Sequence, residues 1–228
     1  MTAPGFSSDR IPVRTRLSIA LAISFALTPA LMDQADHIAL DRTPATFVAI
    51  LFSELLIGVT LGLLSRFYFL ALEMLTTSVA MTFGLGNIFG VAITESEAAP
   101  ALTSLVMTSA VTLLFATDLH LELIRGLYLS YDAAPIQDGP SVFILLREIM
   151  SVLSQSHSLA LRICSPFLLF GFIVNVALGL VARLAPQVQI YFLSGPLTIF
   201  IGVYALSILA PDFFSTFTSG FAAWLISP

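Results

Sequence analysis

Apolar residues run along this chain in blocks of bilayer-crossing length, separated by short polar interruptions, and that alternation predicts its elements. A transmembrane helix needs about 20 mostly apolar residues. Residues 17–31 fall short and end in TPALMDQADH, whereas residues 45–72 exceed the requirement while carrying Glu54 and Arg66, with Glu73 just beyond. Residues 98–117 are free of charge, as are residues 163–182, which lie between Arg162 and Arg183. Residues 184–211 are also uncharged, and a last block, 213–226, is too short to span comfortably. The stretches DQADHIALDRTP, SYDAAPIQDGP and ARLAPQ supply turn chemistry between the blocks. The pattern predicts an all-α chain of hydrophobic helical hairpins. Broken helices are expected at Pro166, Pro186, Pro196 and Pro211, because proline lacks a backbone donor and clashes with the preceding turn.

One block departs from the rest. Residues 74–94 hold no charge and are long enough to cross a bilayer, yet MTFGLGNIFGVAIT is loaded with glycine, threonine and an asparagine. These are poor helix formers. Irregular backbone is tolerated at membrane depth only inside protein or along a water-filled cavity. This segment is therefore expected to have a role that a plain span does not.

Composition sharpens the class. Hydrophobic residues make up 57% of the 228 positions and charged residues 10%, with a mean hydropathy of +0.98, against about 25% charged in a soluble domain. The chain is of the membrane class. With no long polar linker it is expected to form one domain. The formal charge is −5, and all nine basic residues are arginines, with no basic patch that would speak for nucleic acid. Arg10, Arg14 and Arg16 ahead of an apolar run resemble the start of a signal peptide. No small-x-small cleavage site follows, so the run reads as a hydrophobic helix.

Candidate chemistry is sparse. Gly84, Gly86 and Gly90 miss the dinucleotide fingerprint in their last spacing and follow no strand. His37, His120 and His157 are scattered, and the single cysteine, Cys164, has no C-x-x-C partner, so no metal site is expected. There is no nucleophile elbow. No catalytic residue and no cofactor is expected. What remains concerns packing. Gly58 and Gly62, and again Gly86 and Gly90, have the small-x-x-x-small spacing that lets helix backbones approach closely. Glu54, Glu73, Arg66, Arg162 and Asn175 are polar groups amid apolar sequence, expected to face protein or water rather than lipid. Arg66 and Glu73 lie about 10 Å apart along one helix and cannot pair directly, so their partners are expected elsewhere, for instance on another subunit.

The stretch VNVALGLVARLAPQVQIYFLSGPLTIFIGVYAL, residues 174–206, carries a resemblance. An apolar helix ending in Arg183, a Leu-Ala-Pro-Gln turn through Pro186 and Gln187, and a second helix with Gly195 and Pro196 resemble the C-terminal hairpin of the FliR family. Members of that family are export-gate subunits of flagellar and type III secretion systems. TAPGFSSDRIPVRTRLSIALAISFALTPAL, residues 2–31, is similar to the same family just after its first hydrophobic segment, which the resemblance leads one to expect ahead of Thr2. The resemblance implies one FliR-like unit over residues 1–228, with residues 1–157 like FliP and residues 158–228 like FliQ.

It further implies a core subunit of a protein export gate in the bacterial inner membrane, in a flagellar basal body or an injectisome. Its implied partners are FliP-like, FliQ-like and FlhB-like subunits, exported polypeptides and the membrane. The implied interface residues are Glu54, Glu73, Arg162, Asn175, Arg183, Pro186 and Gln187. In that frame residues 83–98 are the implied channel plug, with Phe83, Gly84, Gly86, Phe89, Gly90, Val91 and Ile93 as its seal and hinges. A hydrophobic constriction blocks ions because it does not wet. A secondary transporter would also use broken helices, yet it should show an internal repeat with matching breaks. The glycine-rich segment has no counterpart in the second half.

Overall fold

The structure is a computed structural model that describes residues 4, 12–36, 44–85, 100–133, 142–184 and 190–226. Six helices follow one another: α1 Val13–Asp36, α2 Pro44–Thr82, α3 Ala101–Ala116, α4 Leu119–Ala133, α5 Val142–Leu184 and α6 Ile190–Ile226. No strand occurs among the described residues. Three helices among them are long and apolar enough to cross a membrane, with residues Phe47–Thr82, Phe143–Leu184 and Ser194–Ile226 as their spanning parts. The two short helices α3 and α4, taken as one broken span, could make a fourth.

The helices are longer than the sequence blocks. α2 is 39 residues and carries the block 45–72 straight on to Thr82, past Glu73. α5 begins about six turns before the block that starts at residue 163, and α6 joins the block ending at Pro211 to the segment after it. Pro166 and Pro211 lie inside these helices, as does Pro196, so none of the three ends its helix as expected. Pro186 lies outside the described residues. At Pro166 the physical reason is visible. The ring removes the donor for the carbonyl four residues back, that of Arg162, and the Ser165 hydroxyl donates to that carbonyl instead at 3.1 Å. The break falls elsewhere, after α3. Asp118 has a φ of 58°, and Leu121 N–H returns to its carbonyl to start α4. α4 lies outside the apolar blocks of the sequence because Glu122 and Arg125 interrupt its hydropathy. These two residues pair at 3.7 Å one turn apart on the surface, where such a pair contributes little.

The chain forms two compact units. One gathers Met1–Tyr68, Asp118–Ser154 and Leu225–Pro228. Leu64, Tyr68 and Val152 are buried there, and Glu54 of α2 meets Tyr131 of α4. The other gathers Phe69–Thr117 and Gln155–Trp224, which bring the end of α2, all of α3 and most of α5 and α6 together. Its core is aromatic. Phe69 meets Phe217 and Phe221 edge to face at 5.4 and 5.8 Å, and Phe167 meets Phe213 likewise at 6.2 Å. Such contacts add about 0.5–1.5 kcal/mol each beyond burial. Around them Leu72, Ala80, Ala110 and Cys164 are completely buried.

Candidate functional site

The most specific construction in the second unit is the end of α2. Phe83 is 1% exposed, and its N–H makes the last α-helical bond, to Val79 at 3.2 Å. Gly84 follows with a φ of 70°, the left-handed conformation that stops helices and that only glycine enters freely. Its N–H folds back to the Met81 carbonyl at 3.1 Å. The sequence stops helix α2 here because the residue after Phe83 has no Cβ to oppose the turn.

Three elements hold this end. Gly171 of α5 and Gly202 of α6 lie against it, so close that a methyl group on Gly202 would come 2.7 Å from the Phe83 ring. A methyl on Gly171 would collide with the Thr82 side chain. The Phe170 ring lies 6.4 Å from that of Phe83. Asn175 of α5 donates to the Gly171 carbonyl at 2.8 Å and to the Thr82 carbonyl at 3.4 Å. The second contact serves one of the orphan carbonyls at a helix C-terminus. Six residues before Phe83, the Thr77 hydroxyl meets that of Thr103 on α3 at 3.2 Å, with Thr103 fully buried. The helices before and after residues 86–99 are thereby joined side by side. α3 opens at Pro100, whose carbonyl accepts from Ser104 at 3.0 Å.

Of the expected plug residues, Phe83 and Gly84 thus belong to this packed collar. Gly86, Phe89, Gly90, Val91 and Ile93 lie outside the described residues, as do Pro186 and Gln187. The remaining polar residues are dispersed. Glu54 accepts from the Tyr131 hydroxyl at 2.7 Å through Oε2, while its buried Oε1 meets no donor among the described residues. Glu73 is half-buried, and Arg162 and Arg183 are exposed. Arg66 is exposed as well, near the middle of the apolar part of α2. No ion pair among the described residues engages Glu73, Arg66, Arg162 or Arg183.

A methyl on Gly58 would meet open space, so close packing within the chain occurs instead at Gly171, Gly202 and Gly220, the last against Leu159. These three were not singled out from the sequence, and neither were Tyr131, Thr77 and Thr103. A glycine in an aromatic-rich helix, as in LLFGF around Gly171, was the available signal. No cluster of three potential metal ligands exists among the described residues.

Long apolar helices, intramembrane polar groups and a glycine-terminated segment held at both flanks define an all-α integral membrane protein. Its interior closeness lies between helices, with no catalytic constellation among the described residues. The chain belongs to the bacterial export proteins, family 1, as a member of the FliR family: the family profile matches residues 1–224. The flagellar biosynthetic protein FliR of Caulobacter vibrioides is 28% identical over 208 residues, covering 91% of this chain and 82% of that protein. FliR of Escherichia coli strain K12 is 28% identical over 213 residues, covering 92% and 79%, and FliR of Bacillus subtilis 22% over 206 residues, covering 87% and 76%.

Proposed function

We propose that this chain is a core subunit of the flagellar, type III protein export gate in the bacterial inner membrane. It assembles with FliP-like and FliQ-like subunits and with an FlhB-like subunit around a passage for unfolded export substrates. Residues 1–157 take the FliP-like part and residues 158–228 the FliQ-like part. Residues 83–98 plug the passage.

The observation that carries the plug is the collar at Phe83 and Gly84. A helix of 39 residues is stopped by a left-handed glycine, and its end is pinned by Gly171, Gly202 and Asn175. A rigid root of this kind suits a segment whose own sequence packs poorly and that must yield when a polypeptide passes. The uncompensated arginines support assembly. An exposed cation on an apolar helix costs a few kcal/mol against lipid and is accommodated by protein.

A small-solute transporter is not favoured, since the relatives bear the name of a flagellar biosynthetic protein. Co-expression with FliP-like and FliQ-like subunits tests the assembly. The intact detergent-solubilised complex should contain this chain together with both partners. A chain that stays monodisperse alone, with no partner in the complex, would remove the reading.

A further inference from the structure

α5 presents an exposed seam. Arg162, Ser165, Leu169, Phe172, Val176 and Arg183 are all exposed, and with Gly179 between the last two they recur at alternating three- and four-residue spacing. That spacing is the 3.5-residue repeat of a helix that packs along another helix at a shallow angle. Gly179 has open space where a Cβ would be, and Ser165 is small, so a partner backbone can come close at both places. The two arginines stand three heptads apart, about 32 Å along the axis. Neither makes an ion pair among the described residues.

Lipid alone does not account for this face. The exposed apolar surface continues toward the N-terminus of α5 beyond Arg162, through Leu153, Met150, Leu146 and Phe143. The apolar part of the helix is 42 residues long, about 63 Å, twice the hydrocarbon thickness of a bilayer. Protein must cover the excess, and Arg162 sits at the middle of the whole apolar part.

We infer that this seam docks one apolar helix of another subunit, which carries two carboxylates about three heptads apart, opposite Arg162 and Arg183. The carboxylates set the register of an otherwise featureless apolar contact, as single polar positions do in coiled coils. This inference rests on the export-gate reading and names the chemistry of one of its interfaces.

The test uses the full chain co-expressed with FliP-like and FliQ-like subunits. Arg162→Glu and Arg183→Glu should each lower recovery of the complex at least tenfold, and Arg162→Lys should restore most of it. Changing one carboxylate of a partner helix to arginine should rescue Arg162→Glu. In a Cys164→Ala background, Ser165→Cys should cross-link to that same partner helix in the chain with both arginines intact, which does not depend on the reversed variants folding. Normal recovery of both reversed variants, or a Ser165→Cys chain that reacts only with a lipid-phase thiol probe, would overturn the seam while leaving the gate reading intact. Failure of the unaltered chain to join any complex would instead remove the gate reading.

Discussion

Asn175 on α5 donates through Nδ2 to the carbonyl of Thr82, ninety-three residues earlier, at the last turn of α2. The same nitrogen is fixed by the Gly171 carbonyl at 2.8 Å. One amide therefore ties the end of one long helix to the flank of another. Asn175→Leu removes the donor and leaves the Thr82 carbonyl without it. A loss of about 1 kcal/mol in unfolding free energy is expected, with helix content unchanged by circular dichroism. An unaltered unfolding midpoint would show that the contact contributes nothing.

The Phe83 pocket predicts opposite outcomes for two glycine substitutions. Gly202→Ala places a methyl 2.7–2.9 Å from Phe83 ring atoms, and the ring is buried with Gly171 beside it. Overpacking of this kind costs about 1–3 kcal/mol, and Phe83→Leu in the same chain should recover much of it. Gly58→Ala meets open space and should be neutral or stabilising in the isolated chain, because alanine is the better helix former. Denaturation of the three variants and the unaltered chain in detergent checks both statements.

Tyr131→Phe deletes the hydroxyl that Glu54 accepts at 2.7 Å. The other carboxylate oxygen already lacks a donor among the described residues, so the carboxylate is left worse satisfied. The expected loss is about 1–3 kcal/mol. Adding Glu54→Leu should return at least half of it, since removing both partners of a part-buried polar pair costs less than removing one. A double variant less stable than Tyr131→Phe would contradict this.

Asp118 supplies the break between α3 and α4 at a φ of 58°. Asp118→Gly should be tolerated, whereas Asp118→Val should cost about 1–2 kcal/mol because a branched side chain opposes the left-handed region. Equal stability of the two variants would mean that the turn is held by something other than this residue.

The fold class was legible because bilayer-length apolar blocks leave few alternatives to helix. Their ends were not. Pro166 reads as a break, yet the neighbouring Ser165 hydroxyl satisfies the carbonyl that the proline frees, and such local repair cannot be weighed from residue type alone. α4 was lost because its charged face lowers hydropathy without lowering helicity. The collar was half legible. Gly84 stands out in the sequence as a glycine in a poor helix, but the significance of Gly171 and Gly202 depends on which helices meet, which periodicity does not encode. Asn175 stands out in the sequence as a polar group amid apolar residues, but its contact with the Thr82 carbonyl depends on two helices ninety-three residues apart meeting.

The central claim is that the segment beyond the collar seals a passage while the helices around it carry the assembly. Deleting residues Gly86 to Ile93 tests it most directly, in cells that carry the deletion together with all partner subunits. Complex recovery in detergent and ion leak are measured side by side. Near-normal recovery with a raised leak is the predicted result, because the collar at Phe83 and the Thr77–Thr103 contact stay intact and only the apolar seal is lost. Lost recovery without leak would contradict the account and make this segment part of the packed core.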